Sequence, residues 1–150
     1  MPVFRRRRAG PAPREQTSPF QKEAASFVAI VGDIAPALEL DYSADSVRSL
    51  EGFIADSFDP PGSSYVPESL AVGVGCYVGE VVVRTLGGRW NPDGSAEVLD
   101  IGKVNCTFPI QKAQRRFANG PDDSLAWYYE ALAHYAAEEE RATGDEQPAH

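Results

Sequence analysis

The chain has 150 residues, 43% of them hydrophobic and 24% charged, with a formal net charge of −8. That length and balance fit one ordinary globular domain, which buries about two-thirds of its unfolded surface and needs no disulfide or metal staple. Residues 1–16 carry net +4 and the remainder net −12, so the acidic body repels nucleic acid and anionic membrane over most of its surface and argues against both as partners.

Met1–Thr17 is rich in Arg and Pro and nearly devoid of apolar residues, so it reads as a disordered basic tail. Arg5–Arg8 is followed by Ala9-Gly10-Pro11 and no apolar stretch, which argues against a secretory signal. Order is predicted from Ser18, a good helix cap, with Pro19 at the first helical position. Phe20, Ala24, Phe27, Val31 and Ile34 then share one face, and Pro36 ends the element. Leu38-Glu39-Leu40 is a short connector. Ser43 caps a second helix whose buried stripe is Val47, Leu50, Ile54 and Phe58, with Asp45, Arg48, Glu51 and Asp56 outside it. Asp59–Ser64 is a loop by composition.

Val66-Pro67-Glu68 opens the third helix. Its body, Leu70–Leu86, holds many valines, which favour strands, and Gly73, Gly75 and Gly79, which disfavour helices. Helical spacing nevertheless orders it: Leu70, Val74, Tyr77 and Val81 share one side, and only Gly73, Glu80 and Arg84 mark a polar line. Gly75 and Gly79 leave room for close neighbours, and Gly87-Gly88 supplies the stop. The expectation is a buried central helix, with a strand as the alternative. Its glycines, Glu80 and Arg84 argue against a membrane span, which needs about 20 mostly apolar residues.

Asn91-Pro92-Asp93-Gly94 is a turn. Glu97–Ile101 alternates like a half-buried strand, Gly102-Lys103 turns, and Val104–Phe108 returns. Two or three such strands are marginal alone, so the sheet must pack on the central helix. Pro109–Phe117 is a short helix stopped at Asn119-Gly120-Pro121. Asp122 and Asp123 favour the start of a last helix with Leu125, Tyr128, Tyr129, Leu132 and Tyr135 inside. The expected fold class is therefore α+β: two N-terminal helices, a central buried helix, a small antiparallel sheet of two or three strands, and two C-terminal helices. It forms a single globular domain over residues 18–141, with tails over 1–17 and 142–150.

Leu38–Tyr135 resembles a group of small bacterial proteins classed as a domain of unknown function. The likeness is carried by Gly75-Cys76-Tyr77-Val78-Gly79-Glu80-Val81, Leu86-Gly87-Gly88-Arg89-Trp90 and Asn119-Gly120-Pro121-Asp122-Asp123-Ser124-Leu125, and Leu40-Asp41-Tyr42-Ser43 with the helix after it fits the same pattern. The resemblance implies the fold and carries no catalytic residues. Size and acidity extend the likeness to immunity-type proteins that neutralise toxins.

Few residues suggest chemistry. His134 lies four residues from both Glu130 and Glu138, a pattern for a proton carrier or a metal, although two acids so placed on one helix are far apart for one ion. It also suits a solvated helix face. Trp127 shares that face and needs cover by another element or a partner. Glu80, Arg84 and Arg89 form the best polar constellation, either locking the central helix or flooring a ligand pocket. Lys103, Lys112, Arg115 and Arg116 form a modest basic cluster without a nucleic-acid motif. Cys76 and Cys106 read as core thiols of a reducing compartment. No serine sits in a nucleophile elbow, and the glycines of the third helix do not form a dinucleotide fingerprint.

These readings lead to a cytoplasmic, non-enzymatic module without cofactor or metal that binds another protein. An immunity or antitoxin role is the second reading. A small enzyme or ligand binder centred on Glu80, Arg84 and Arg89 is the third.

Overall fold

A serine hydroxyl caps the first described helix. In the computed structural model, which describes residues 18–91, 99–102 and 105–146, Ser18 Oγ accepts the Phe20 and Gln21 N–H groups at 3.0 and 3.2 Å. Helix α1 (Pro19–Ile34) follows with Pro19 in its first turn. Ala24, Phe27 and Val31 are buried on its inner face as the spacing predicts. Ile34 is not: it is 72% exposed, because the last turn of α1 borders an open cavity instead of the core.

Helix α2 (Ala44–Phe58) is capped by Ser43 Oγ, which accepts the Ser46 N–H at 3.1 Å. Val47, Leu50 and Ile54 are buried. Glu51, expected outside the stripe, is turned inward because a buried guanidinium from a later helix draws its carboxylate.

Helix α3 (Glu68–Leu86) is the central element, and its valines are helical. Every residue from Gly73 to Val82 is buried, so packing on all sides overrides valine's strand preference. Gly87, in the left-handed region at φ 79°, ends the helix. By length and composition α3 could cross a membrane, with a mean hydropathy of 1.4 over its most apolar stretch. Here it is the core of the fold, with α1 and α4 as its main neighbours.

The glycines of α3 set those contacts. A Cβ on Gly73 would strike the Phe27 ring of α1. On Gly75 it would lie 2.5 Å from the Ile110 Cα and 2.9 Å from the Pro109 oxygen. On Gly79 it would fall within the Trp90 indole.

Strands β1 (Arg89–Trp90), β2 (Leu99–Ile101) and β3 (Asn105–Thr107) form an antiparallel sheet in sequence order. Arg89 pairs with Asp100 and Trp90 with Leu99; β3 then pairs Leu99 with Thr107 and Ile101 with Asn105. Leu99 and Ile101 are buried and join the core. Cys106, expected inside, is exposed. It pairs with Asp100 on the outward face, where the two-residue alternation of a strand must put it. Cys76 is buried in α3. The expected turn at Asn91–Gly94, the start of the second strand at Glu97-Val98, Lys103, Val104 and the N-terminal tail with Arg5–Arg8 lie outside the described residues, Asn91 apart.

Helix α4 (Pro109–Asn119) buries Pro109, Ala113, Arg116 and Phe117. A 3-10 turn (Gly120–Asp123) leads to α5 (Leu125–Glu146), where Ser124 Oγ accepts the Trp127 N–H at 3.2 Å. α5 continues to Glu146, past the point at which a polar tail was expected. Leu125 and Tyr129 are buried, with Tyr128, Leu132 and Tyr135 packed beside them.

Two glycine substitutions are expected to act in opposite directions. Gly52, inside α2, has open space around it, so Gly52→Ala should stabilise by about 0.5–1 kcal/mol through helix propensity. Gly75→Ala gains the same propensity but forces the α4 backbone away, at a cost of about 1–3 kcal/mol. Urea denaturation of both variants would show a higher midpoint for the first and a lower one for the second.

Candidate functional site

Glu80 lies on α3 with only 3% of its surface exposed. A buried carboxylate requires donors, and it has two. Its Oε2 accepts from Arg84 Nε at 3.3 Å, and its Oε1 accepts from the Trp90 indole Nε1 at 3.2 Å. The Arg84 guanidinium stands 3.6 Å from the centre of the Tyr42 ring, a cation–π contact. Tyr42 adopts φ 66°, a left-handed conformation that costs a bulky residue about 1–2 kcal/mol. There its N–H donates to Tyr77 Oη at 2.8 Å, and Tyr77 Oη lies 2.6 Å from Ser46 Oγ. Burial raises the Tyr77 phenol above its ordinary pKa, and burial does the same for Tyr42, partly opposed by Arg84. Phe20 stacks on Trp90 with 4.7 Å between ring centres.

The structure thus brings Glu80 and Arg84 together and leaves Arg89 out. Adjacent strand residues face opposite ways. Trp90 turns into the gap at Gly79, so Arg89 turns outward and is exposed. Trp90 is the partner that sequence reasoning missed, although Gly79, directly before Glu80, was the signal for a close neighbour. Both Glu80 oxygens are engaged, and the cluster ties the start of α1, the α1–α2 connector, α3 and β1 to one another.

The expected basic cluster does not form a surface patch. Arg116 has no exposed surface. Its guanidinium donates to both Asp59 oxygens, at 2.9 and 2.7 Å, and its Nε donates to Glu51 Oε2 at 2.8 Å. Glu51 Oε1 in turn accepts the Leu125 N–H at 2.8 Å. Lys112 Nζ lies 2.9 Å from Asp123 Oδ1. Arg115 remains exposed, and Lys103 lies outside the described residues.

The outward face of α5 is open. Trp127 is 71% exposed, so no described element provides the intramolecular cover that an off-stripe indole invites. Glu130 turns to Arg48 of α2, with 2.8 Å between Oε2 and the guanidinium. Glu138 pairs with Arg141 at 2.7 Å and lies 3.5 Å from His134 Nε2. The structure therefore parts the two acids that flank exposed His134. Among the described residues, no three His, Cys, Asp or Glu side chains gather as a metal site.

A second open feature escaped the sequence reading. α1, α2 and α3 leave a cavity of about 260 Å³ between them. Phe27, Leu50 and Val74 line it, and Ile30, Ile34 and Phe53 stand toward its mouth. Ile30 and Phe53 lie outside the predicted inner stripes; their apolar character there was the available signal.

The chain matches no protein-family model, no curated protein and no solved structure. Its chemistry therefore rests on its own residues.

The Arg116 network predicts an acid-sensitive fold. Hydrogen bonds from Arg116 hold the Asp59 carboxyl below its ordinary value, and the same bonds raise Arg116. A lowered folded-state value means that the stabilisation is complete above the ordinary carboxylate range near about 4 and is lost as pH falls through the lowered one. Asp59→Asn should flatten the acid limb of Tm against pH below about 4. Arg116→Ala strands two carboxylates and should cost about 3–5 kcal/mol at neutral pH in a denaturant titration.

Proposed function

We propose that this chain is a non-enzymatic module that binds another protein, anchored by Trp127. The observation that carries the reading is the exposed indole near the start of α5, 71% exposed and set on a 22-residue helix. Tryptophan is enriched among the residues that dominate interface energies, and burying it on a partner removes a large apolar surface from water. A helix packed against α2 and α3 holds that anchor in place before binding, which limits the entropy lost in the complex.

Charge defines the kind of partner. Beyond residue 16 the chain carries net −12, which favours a basic protein surface and speeds its approach. A basic toxin is one such partner, and the immunity-type reading is this proposal in narrower form. The full engagement of Glu80 by Arg84 and Trp90 supports a non-enzymatic reading over one centred on Glu80, Arg84 and Arg89. An exposed Cys106 suits a reducing compartment such as the cytoplasm.

The test is a comparison of native and Trp127→Ala chains as bait, with each captured protein then titrated in purified form. Trp127→Ala should weaken the complex by about thirtyfold, equivalent to about 2 kcal/mol, and leave unfolding within about 0.5 kcal/mol of the parent. Association should slow as salt rises. Partners held equally by both chains would remove Trp127 as the anchor.

A further inference from the structure

We propose that the cavity between α1, α2 and α3 binds a small amphiphilic cation, an aliphatic ammonium whose chain enters the cavity and whose head meets Glu23. This site is separate from the α5 face, and Trp127 does not line it.

Size comes first. The cavity measures about 260 Å³. A dry apolar cavity of about 150 Å³ accepts benzene, and pockets for drug-sized molecules begin at about 300 Å³. The space therefore suits a single medium-length chain and not a folded segment of protein, since a helix with side chains is about 10–12 Å across.

The lining sets the body of the ligand. Phe27, Val31, Leu50 and Val74 are buried apolar side chains that border the space. At the mouth, Ile30 and Ile34 are 58% and 72% exposed. An apolar chain laid among these groups leaves water and covers surface the fold itself leaves wet. Gly73 also borders the space, and its missing side chain lets the Phe27 ring pack directly against α3.

Charge sets the head. Glu23 is the one titratable residue among those lining the cavity, and no described residue pairs with it. Ser26 and Ser69 supply the remaining polar side chains, and no described Lys or Arg borders the space. A carboxylate head would meet Glu23 and the acidic body with like charge. A neutral head would forgo the attraction. An ammonium pairs with the exposed Glu23 carboxylate at the mouth while its chain stays dry.

The experiment is isothermal titration of the full chain with decylamine, decanol and decanoate, each below its micelle concentration. Alkylamines from hexyl to dodecyl follow. Decylamine should bind most tightly and decanoate least. Affinity should rise about fourfold per added methylene until the cavity is full, then level off. Glu23→Gln, at an exposed position, should weaken decylamine about threefold and leave decanol unchanged. Ser26→Phe, also exposed, should close the mouth and weaken both by more than tenfold.

Three results would overturn the proposal: equal affinity for the three head groups, no saturable binding, or binding that Ser26→Phe leaves intact. A fourth is a dimer in sedimentation that Ile34→Lys dissociates, since a second copy would then occupy the groove.

Discussion

Three glycines on one helix decide how the rest of this protein packs. On α3, Gly73 lies about half a turn round from Gly75 and Gly79, by the helical repeat. Phe27 of α1 therefore sits on one side, while the α4 backbone and Trp90 of β1 sit on the other. Each neighbour approaches where a side chain would have stood. The helix loses propensity at all three positions, about 1 kcal/mol each. It is compensated by contact on every side, which buries ten successive residues from Gly73 to Val82. The first turn of α4 is held against α3 at Gly75, and the sheet is held through the Trp90 ring at Gly79. Shifting either contact would move the elements that bear Arg116 and Leu99.

Two buried ionic groups then orient the elements that the glycines bring near. Arg116 draws in Glu51 of α2 and Asp59 of the following loop, and Glu51 also receives the first N–H of α5. Four parts of the chain thus meet in one network around Arg116 and Glu51. A planar, forked donor imposes direction in a way that apolar packing does not. Glu80 does related work, joining α3 to β1 through the Trp90 indole and reaching Tyr42 through Arg84. Both networks satisfy charges whose burial alone would be costly.

The same arrangement explains why the polar residues that looked chemical in the sequence are mostly architectural. Lys112, Arg116 and Glu80 are spent on partners within the fold. Among the described residues, two apolar features stay open: the indole of Trp127 on α5, and the cavity bordered by Ile30, Ile34 and Phe53. One is a projecting anchor and the other a recess. They suit recognition of different things, a protein surface and a small chain, and they lie on different helices.

Local signals were enough for much of this fold. Ser18, Ser43 and Gly87 mark helix ends through backbone groups they satisfy or conformations they allow, and those effects act within a few residues. The spacing of Ala24, Phe27 and Val31, or of Val47, Leu50 and Ile54, follows from the helical repeat alone. Even the central helix was legible, since Gly75 and Gly79 lie on one side and announce close neighbours. The identity of those neighbours was not legible, because nothing local says that Trp90 and not Arg89 will face Gly79. Inside a strand of two residues, only packing on α3 chooses the face. Glu51 looked solvent-exposed because its place on the α2 wheel is outside the apolar stripe, and a guanidinium 65 residues later in the chain turns it inward. Sequence therefore determined the elements and most of their ends, where the forces are short-ranged. Tertiary structure decided which charges are buried, where Trp127 stands, and that a cavity opens beside Ile30, because each depends on groups distant in the chain meeting in space.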